Sequence, residues 1–396
     1  MPKKRISSSI DFSDTEVAFQ YKNTVELKKS SMLFKMLSYP LMVRLGPKLA
    51  SASLKMKLPI RGLIKSTMFG QFCGGEDIEE CQETIHLLGK YNVGTILDFA
   101  TEACESDADF ERVLAEVMHT IELAQVDVNV PFAVFKPTGL GRSGLLEKKD
   151  RKLPLSSEEQ EEFELIRNRF ERICQYAYDH KVRILVDAEE SWIQDSVDQL
   201  VRDMMMKFNK ERAIVYNTIQ LYRNDRLDFL KRSYGDAAAN AYFLGVKLVR
   251  GAYLEKEGSR AKVNGYANPI HTSKEATDQD YNLALRFCIE NSDKISTVAG
   301  THNEKSTKLL VDMMDEFEIS PDDERIYFAQ LLGMSDNLSF RLAKDSYRVC
   351  KYVPYGKLNE LLPYLSRRAE ENSSIQGQSG RELSLIQEEL KRRSQG

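Results

Sequence analysis

Two adjacent arginines near the carboxyl end of the chain offer the most distinctive chemistry in the sequence. Arg367 and Arg368 follow Tyr364 by three and four residues, and Glu371 follows the arginines by four and three. On a helix this spacing places all four side chains on one face. Two neighbouring guanidiniums can form bidentate hydrogen bonds with a carboxylate, and Glu371 can orient either of them. The alternative is a solvated helix face with ordinary ion pairs.

Further polar residues stand where apolar runs end. In folds that alternate strands with helices, binding and catalytic groups collect at the carboxyl ends of the strands. Any one of these positions is explained by a strand that ends in solvent, but six of them together indicate a site. The polar residues at these six places are Lys136, Asp187, Gln220, Lys247 with Arg250, Thr301 with His302, and Gln330.

The elements that must position these residues form an alternating pattern of short apolar runs and longer amphipathic stretches. This pattern predicts a (β/α)8 barrel of the TIM type, although one strand more or fewer would favour an open doubly wound sheet. Ser156 and Glu159 have the spacing of a capping box that begins a helix. Residues from Tyr352 to Gly356 are predicted as a loop before the arginine helix. The predicted strands are Thr67–Gln71, Gly94–Phe99, Pro131–Lys136, Val182–Asp187, Ala213–Gln220, Gly245–Arg250, Ser296–Thr301 and Ile326–Leu331.

Three parts of the chain follow from this pattern. Residues 1–62 are predicted as a helical N-terminal extension, residues 63–372 as the barrel, and residues 373–396 as a tail with a closing helix.

The charge and composition narrow the class of protein. A net charge of -4 with a pI near 5.9 argues against nucleic-acid binding. The six cysteines are scattered without metal-ligand spacing, so no metal site is expected.

Neither a signal peptide nor an apolar run of membrane-spanning length is evident in the sequence. We therefore expect a cytoplasmic location, with peripheral membrane association at most.

The ordered motifs of residues 68–372 resemble those of the proline dehydrogenase family. A single motif is weak evidence, but the ordered set is specific. Because the sequence ends soon after the arginine helix, we expect it to resemble the stand-alone enzymes of the family and not the bifunctional ones. The motifs are Phe72-Cys-Gly-Gly-Glu, Phe135-Lys-Pro-Thr, Val186-Asp-Ala-Glu-Glu, Gln220-Leu-Tyr, Lys247-Leu-Val-Arg-Gly-Ala-Tyr, Thr277-Asp-Gln-Asp-Tyr, Thr301-His-Asn, Gln330-Leu-Leu-Gly-Met and the arginine helix.

The resemblance implies an FAD-dependent oxidation of L-proline to Δ1-pyrroline-5-carboxylate, on the route to glutamate. It also implies a membrane quinone as electron acceptor and pyrroline-5-carboxylate dehydrogenase as a partner. By resemblance, Asp187 and Lys247 are catalytic. The implied substrate ligands are Lys136, Tyr352, Tyr364, Arg367, Arg368 and Glu371. The implied FAD ligands are Gln220, Val249, Arg250, Gly251, Thr301, His302 and Leu332.

Residue chemistry agrees with some of these roles and leaves others open. Asp187 suits an acid–base or electrostatic role, and an ordinary ion pair with Lys136 is the alternative. By resemblance Lys247 lies near flavin N5, where related bacterial enzymes carry arginine; its cation would favour the reduced flavin. Gly251 lets the backbone approach a cofactor closely. No GxGxxG follows the first predicted strand, so a Rossmann site is not expected.

Three alternatives stay open at this stage. The first is a hydroxyproline dehydrogenase. Relatives that act on hydroxyproline tend to have a small residue at the position of Tyr352, so tyrosine favours proline over hydroxyproline. Lys136 could instead serve as the Schiff-base nucleophile of a flavin-free barrel lyase. The chain could also be a binding protein that has lost activity.

Overall fold

Eight parallel strands close into a barrel in chain order within the part of the chain that the computed structural model describes, namely residues 10–39, 61–100, 104–374 and 378–395. This confirms the predicted (β/α)8 architecture. The strands are β1 (Val93–Phe99), β2 (Phe132–Phe135), β3 (Arg183–Val186), β4 (Val215–Gln220), β5 (Leu244–Val249), β6 (Ile295–Gly300), β7 (Ile326–Leu331) and β8 (Val349–Tyr355).

Seven of the eight predicted strands coincide with β1–β7, and the first prediction is wrong. Thr67–Gln71 is helical, because a π-helical turn over Lys65–Phe69 runs into the short helix Gly70–Phe72. Its apolar residues Met68 and Phe69 pack into an apolar cluster from one helical face. Lys136 and Asp187 therefore follow the second and third strands and Lys247 lies in the fifth, whereas the prediction placed them in the third, fourth and sixth.

The loop predicted from Tyr352 to Gly356 is also wrong for most of its length, because β8 runs from Val349 to Tyr355. Lys351 and Pro354 mask this strand in the sequence, since lysine and proline are both poor strand formers. In the structure Lys351 is fully buried and β8 pairs with β1 along its whole length.

The chain divides into two compact units. The first contains Cys104–Ala329, and the second contains Asp11–Ala103 and Gln330–Gly396. The predicted boundaries at 62 and 372 stay a prediction. Residues 1–9, 40–60, 375–377 and 396 of the predicted extension, barrel margin and tail lie outside the described residues.

The first unit carries β2–β7 and the helices between them. Its long helix Ser157–Asp179 begins with the predicted capping box of Ser156 and Glu159, which is confirmed. Numbered in chain order over both units, the helices of this unit are α6 (Asp107–Val126), α7 (Ser143–Asp150), α8 (Ser157–Asp179), α9 (Ser191–Phe208), α10 (Arg226–Ala239), α11 (Leu254–Asn264), α12 (Lys274–Glu290) and α13 (Glu304–Glu316).

The second unit contains β1, β8 and helices from both ends of the chain. These helices share an apolar cluster that includes Phe34, Phe72, Leu361, Leu365 and Ile386. The helices are α1 (Thr15–Phe19), α2 (Thr24–Leu37), α3 (Arg61–Ile64), α4 (Gly70–Phe72), α5 (Ile78–Gly89), α14 (Asp336–Lys344), α15 (Leu358–Ser374) and α16 (Gln378–Gln395).

Large side chains fill the amino-terminal end of the first unit's strands. The rings of Phe132 and Tyr216 meet edge to face at 5.6 Å, and those of Phe132 and Tyr327 meet in the same way at 4.8 Å. The guanidinium of Arg183 lies 5.7 Å from the Phe132 ring and 5.6 Å from the Tyr327 ring. This packing closes the amino end, so the carboxyl ends of the strands remain for chemistry.

A buried ion pair organises the second unit. Lys351 on β8 lies 2.8 Å from Asp336, the first residue of α14, and both side chains are almost fully buried. The Tyr21 hydroxyl donates to the other carboxylate oxygen of Asp336 at 2.6 Å. Glu382 on α16 accepts a hydrogen bond from the Ser335 backbone N–H at 2.6 Å. These contacts tie both ends of the chain to the segment that follows β7.

Candidate active site

Three charged residues meet at the carboxyl ends of the first unit's strands. Lys136 directly follows β2, Asp187 directly follows β3, and Lys247 lies within β5. One oxygen of Asp187 is 3.8 Å from the Lys136 ammonium, and the other accepts a hydrogen bond from Lys247. Their side chains are 18%, 14% and 7% exposed, for Lys136, Asp187 and Lys247 respectively. Asp187 thus joins two lysines in a largely water-excluded place.

The local sequence explains this placement. The apolar run Arg183–Val186 is buried as β3, and the Asp187 backbone N–H still donates to the Phe135 carbonyl, at 3.0 Å. Lys247 interrupts the otherwise apolar strand β5, where it stands beside Thr218 of β4 and Val298 of β6. An ammonium in such a place is costly unless it has an anionic partner, and Asp187 supplies that partner.

Glu189 belongs to the same region and was missed by the sequence reasoning. One of its carboxylate oxygens accepts from the Thr138 backbone N–H at 2.9 Å, and the other accepts from the Thr138 hydroxyl at 2.6 Å. Burial raises the pKa of Glu189 to about 7, against the opposing effect of the Thr138 hydrogen bonds and of Lys136. The signal was its position two residues after Asp187, at the end of the same apolar run.

Among the predicted FAD ligands, Arg250 and Thr301 lie in contact. Arg250 donates to the Thr301 hydroxyl at 2.6 Å, to Asp278 at 2.6 Å and to Ser306 at 3.0 Å. Its guanidinium also lies 4.2 Å from the centre of the Tyr281 ring. Burial opposes ionisation of Asp278, but hydrogen bonds from Lys274 and Arg250 prevail and lower its pKa. The last three contacts of Arg250 were not anticipated from the sequence.

The remaining predicted FAD ligands of the first unit lie on or beside the same strand ends. Gln220 donates from its side chain to the Glu189 carbonyl at 2.6 Å. The Val249 carbonyl accepts from the Leu221 N–H at 2.8 Å. His302 follows Thr301 and is half-buried. Gln220 therefore connects the predicted cofactor ligands to the Glu189 region.

Gly251 has a backbone conformation that favours glycine, with φ of +137°. A Cβ atom at this position would lie 2.4 Å from carbon atoms of the Tyr222 ring. The close packing of Tyr222 is therefore sufficient to require glycine here, whether or not a cofactor also approaches.

In the second unit, Tyr352 and Leu332 lie on adjacent segments. The Leu332 backbone N–H donates to the Tyr352 carbonyl at 2.9 Å, and the two residues are only 9% and 8% exposed, respectively. Tyr352 is held within β8 and not on a loop. A strand gives its ring a more fixed position than the predicted loop would have done.

The arginine helix is α15, and its polar residues form a connected group. The Arg368 guanidinium lies 4.8 Å from the centre of the Tyr364 ring and donates to Glu371. Burial raises the pKa of the Tyr364 hydroxyl, although the nearby Arg368 opposes this. Arg368 is 5% exposed, and Arg367 is half-buried. The reading as a freely solvated face does not hold for Arg368.

Two observations narrow the chemistry available to the described residues. None of their groups of His, Cys, Asp and Glu is arranged to hold a metal ion. No helix among them has both the length and the apolar character needed to cross a bilayer. In the first unit, the residues at the strand ends include two lysines and a carboxylate, whereas the second unit contributes a buried arginine beside a tyrosine.

Comparisons with known proteins identify the motifs. The family model described as proline dehydrogenase matches residues 81–381. The carbapenem antibiotics biosynthesis protein CarD of Pectobacterium carotovorum is 37% identical over 336 residues, covering 85% of this chain and 87% of that protein. Mitochondrial proline dehydrogenase 1 of Dictyostelium discoideum is 32% identical over 438 aligned positions, covering 99% of this chain and 76% of that protein.

A solved structure shares the fold. Proline utilization A from Bdellovibrio bacteriovorus, inactivated by N-propargylglycine, aligns with a TM-score of 0.72 at 21% sequence identity. The alignment covers 91% of this chain but only 38% of that protein, so the chain spans well under half the length of this structural relative.

Proposed function

Because the chain belongs to the proline dehydrogenase family, we propose that it oxidises L-proline to Δ1-pyrroline-5-carboxylate with FAD as its cofactor. The observation that carries this proposal is the carboxylate of Asp187 shared between Lys136 and Lys247 at the strand ends. The reaction removes a hydride from the ring carbon beside nitrogen and a proton from nitrogen, which leaves a C=N bond. FAD, when bound, supplies the acceptor for the hydride.

Asp187 is the proposed group that manages the proton at the substrate nitrogen. The two lysines beside it favour its ionised form, in which a carboxylate can accept a proton or a hydrogen bond. Lys136 and Lys247 would also supply positive charge to stabilise an anionic hydride acceptor bound beside them. In this proposal Asp187 and Lys247 are catalytic, and Lys136 binds substrate.

Arg367 and Arg368 are the proposed ligands of the proline carboxylate. Glu371 accepts a hydrogen bond from Arg368 and the Tyr364 ring lies against its guanidinium, so the fork has little rotational freedom. Substrate binding then loses less entropy, because the Arg368 guanidinium is already ordered. Tyr364 and Tyr352 are proposed to pack against the substrate ring.

FAD binding is proposed for the strand ends of β4, β5, β6 and β7. The fit rests on Arg250, whose guanidinium is fixed by Thr301, Asp278 and Ser306 and can present a donor to an anionic group. The proposed ligands are Gln220, Val249, Arg250, Gly251, Thr301, His302 and Leu332.

The alternative substrates and reactions are less well supported. Tyr352 leaves less room for a ring hydroxyl than a small residue would, which favours proline over hydroxyproline. A Schiff-base lyase needs a neutral lysine, whereas Lys136 lies beside the Asp187 carboxylate, which favours the charged and non-nucleophilic form.

The electron acceptor and the metabolic partners are also proposals. We expect electrons to pass to a membrane quinone and the product to be consumed by pyrroline-5-carboxylate dehydrogenase. This implies a cytoplasmic enzyme that contacts a membrane peripherally.

One experiment tests the proposed function directly. The purified protein should be yellow, L-proline should bleach it under anaerobic conditions, and mass spectrometry should detect a product two hydrogens lighter than proline. A colourless protein that forms a borohydride-trapped adduct on Lys136 with a carbonyl substrate would instead support the lyase. A yellow protein that trans-4-hydroxy-L-proline bleaches faster than L-proline would support a hydroxyproline dehydrogenase.

A further inference from the structure

Helix α2 carries apolar side chains on two opposite faces, although burial within the second unit accounts for only one of them. The buried face contributes Leu27, Leu33, Phe34 and Leu37 to the apolar cluster. A row of apolar residues with exposed side chains lies on the other side. This row consists of Val25 (63% exposed), Met32 (67%) and Met36 (37%), and Tyr39 (55%) follows just beyond the helix.

The exposed residues form one stripe and are not scattered. At about 100° per residue, Val25, Met32 and Met36 lie within about 40° of one another around the helix axis. Single exposed apolar residues need no explanation, but an aligned row on a helix indicates an interaction surface. The stripe lies opposite the buried face, so packing among the described residues of the second unit leaves it exposed.

Lysines flank the stripe on both sides. Lys28 and Lys35 lie along one edge, Lys29 lies along the other, and all three are exposed. Glu26 is the acid of this helix, and its carboxylate accepts the Asn23 backbone N–H in the capping box. The surface thus combines an apolar centre with a cationic border.

The charge of the surrounding sequence has the same sign. Residues 27–75 contain nine lysines and arginines and no aspartate or glutamate, in a chain whose net charge is -4. Such segregation of charge matches an anionic lipid surface, and apolar side chains with neighbouring lysines are the pattern of helices that lie in the membrane interface.

We propose that the α2 face, defined as Val25, Met32, Met36 and Tyr39 with Lys28, Lys29 and Lys35, docks this protein on an anionic bilayer. The apolar stripe enters the boundary between headgroups and acyl chains, and the lysines contact anionic headgroups. This inference rests on the proposed function in one respect, because docking brings an enzyme that reduces a lipid-soluble quinone to the bilayer that contains it.

Vesicle co-sedimentation of the full-length flavoprotein tests the surface. We expect vesicles with 30% phosphatidylglycerol to retain the protein at least about tenfold better than pure phosphatidylcholine vesicles. Met32→Glu with Met36→Glu should lower retention by at least about tenfold, because both charges would enter the apolar boundary. Leu165→Glu with Leu283→Glu adds the same charge at other exposed helical positions and should bind as the wild type does.

The lysines are tested separately from the stripe. Replacing Lys28, Lys29 and Lys35 together by Gln should abolish the preference for anionic vesicles, whereas the same replacement of Lys231, Lys262 and Lys305, which are also exposed, should retain it.

Several results would overturn the proposal. The first is a wild-type protein that does not bind anionic vesicles, and the second is unchanged binding of the Met32→Glu/Met36→Glu variant. The third is light scattering that shows a wild-type dimer and a monomeric variant, with no vesicle binding by either protein. The last result would assign the face to a second copy of the chain.

Turnover with a soluble dye acceptor separates this proposal from the proposed function. If docking holds, the Met32→Glu/Met36→Glu variant should oxidise proline with the dye at the wild-type rate but reduce a bilayer-embedded quinone at least about tenfold more slowly. Wild-type protein that binds vesicles as expected but never oxidises proline would sustain the surface and refute the function. Dye-linked turnover without any vesicle binding would refute the surface alone.

Discussion

Thr138 donates two hydrogen bonds to Glu189, from its backbone N–H to one carboxylate oxygen and from its side-chain hydroxyl to the other. Thr138 stands two residues after Lys136, in the turn that follows β2. A buried carboxylate in the segment after β3 therefore anchors the turn that follows Lys136. Glu189 acts in this view as a positioning residue, through Thr138.

Replacing Glu189 by Gln should lower kcat/KM for L-proline by about 5- to 100-fold, because an amide leaves one Thr138 donor without an acceptor in a buried place. The pKa of Glu189 is near 7, so wild-type kcat/KM should fall as pH decreases through 7 and the carboxylate is protonated. That acid limb should vanish in the variant. A pH–rate profile from 5.5 to 9 measures both effects.

The neighbouring Glu190 provides the matched control, because its carboxylate pairs with Lys256, whereas both Thr138 donors go to Glu189. Glu190→Gln should retain the acid limb, moved to lower pH because the charge of Glu190 contributes to the raised pKa of Glu189. Persistence of the limb in Glu189→Gln would show that a different group controls it.

Glu382 should make the protein less stable at alkaline pH. Burial, reinforced by Asp336, raises the pKa of Glu382 to about 7 from its ordinary value of 4.5. The folded state therefore binds this proton more tightly than the unfolded state does. The resulting stabilisation is complete below pH 4.5 and is lost as pH rises through 7, with an upper bound of about 3 kcal/mol.

The Gln variant of Glu382 imitates the protonated acid and can still accept the Ser335 N–H bond. Its free energy of unfolding relative to the wild type should therefore increase by about 1–3 kcal/mol between pH 5 and pH 8. Urea denaturation at the two pH values measures this difference. Glu388→Gln, an exposed position on the same helix, should show no such change. An equal pH dependence in the wild type and Glu382→Gln would contradict the assignment.

The sequence predicted most of the barrel because buried parallel strands appear as uninterrupted apolar runs. It failed at β8, where Lys351 is compatible with a buried strand only because Asp336 lies 2.8 Å away in the fold. That partner stands 15 positions earlier in the sequence, and neither periodicity nor propensity reveals the pairing. The opposite error occurred at Thr67–Gln71, where a strand was predicted and a helix is found. Packing of Phe69 in the apolar cluster outweighs the strand propensity of this run.

The candidate site shows the same division. Lys136, Asp187 and Lys247 could be identified because each stands at or near the end of an apolar run. Glu189 and Glu190 are adjacent residues of the same type, and the sequence does not tell them apart. Only the turn that contains Thr138, after β2, distinguishes the buried acid from its neighbour. Long-range contacts decide which of the two adjacent acids is buried against Thr138, and the local sequence does not contain them.

Arg368→Lys should raise KM for L-proline by about 10- to 100-fold while leaving flavin content unchanged. Lysine retains the charge but loses the planar fork that pairs bidentately with a carboxylate. It also loses the stacking on Tyr364 and the fixed hydrogen bond to Glu371. Steady-state kinetics with thermal unfolding as a folding check measures the effect.

The control for this change is Arg392→Lys, since Arg392 also pairs with a glutamate but is 45% exposed on a different helix. Its KM should stay at the wild-type value. An unchanged KM in Arg368→Lys would remove Arg368 from the substrate site.

Tyr352→Ser should shift the substrate preference toward trans-4-hydroxy-L-proline. Tyr352 is 8% exposed, so removing its ring opens space in a packed environment and exposes a hydroxyl that can pair with a substrate hydroxyl. We expect the ratio of kcat/KM for hydroxyproline to that for proline to rise by about tenfold. Tyr352→Phe keeps the ring and should leave the ratio near the wild-type value. A ratio that rises equally in both variants would indicate that ring volume does not determine specificity.

Gly251→Ala should destabilise the protein by about 3 kcal/mol and reduce its flavin content. Alanine is strained at φ of +137°, and its methyl group would lie 2.4 Å from carbon atoms of the Tyr222 ring. Gly235→Ala is the matched control, because Gly235 lies within α10 and a Cβ there meets nothing within 4 Å. That change should instead stabilise the protein by about 0.5–1 kcal/mol, since alanine loses less backbone entropy in a helix. Urea denaturation and flavin absorbance, measured on both variants, check these effects. A Gly251→Ala variant as stable as the wild type would contradict the expected strain.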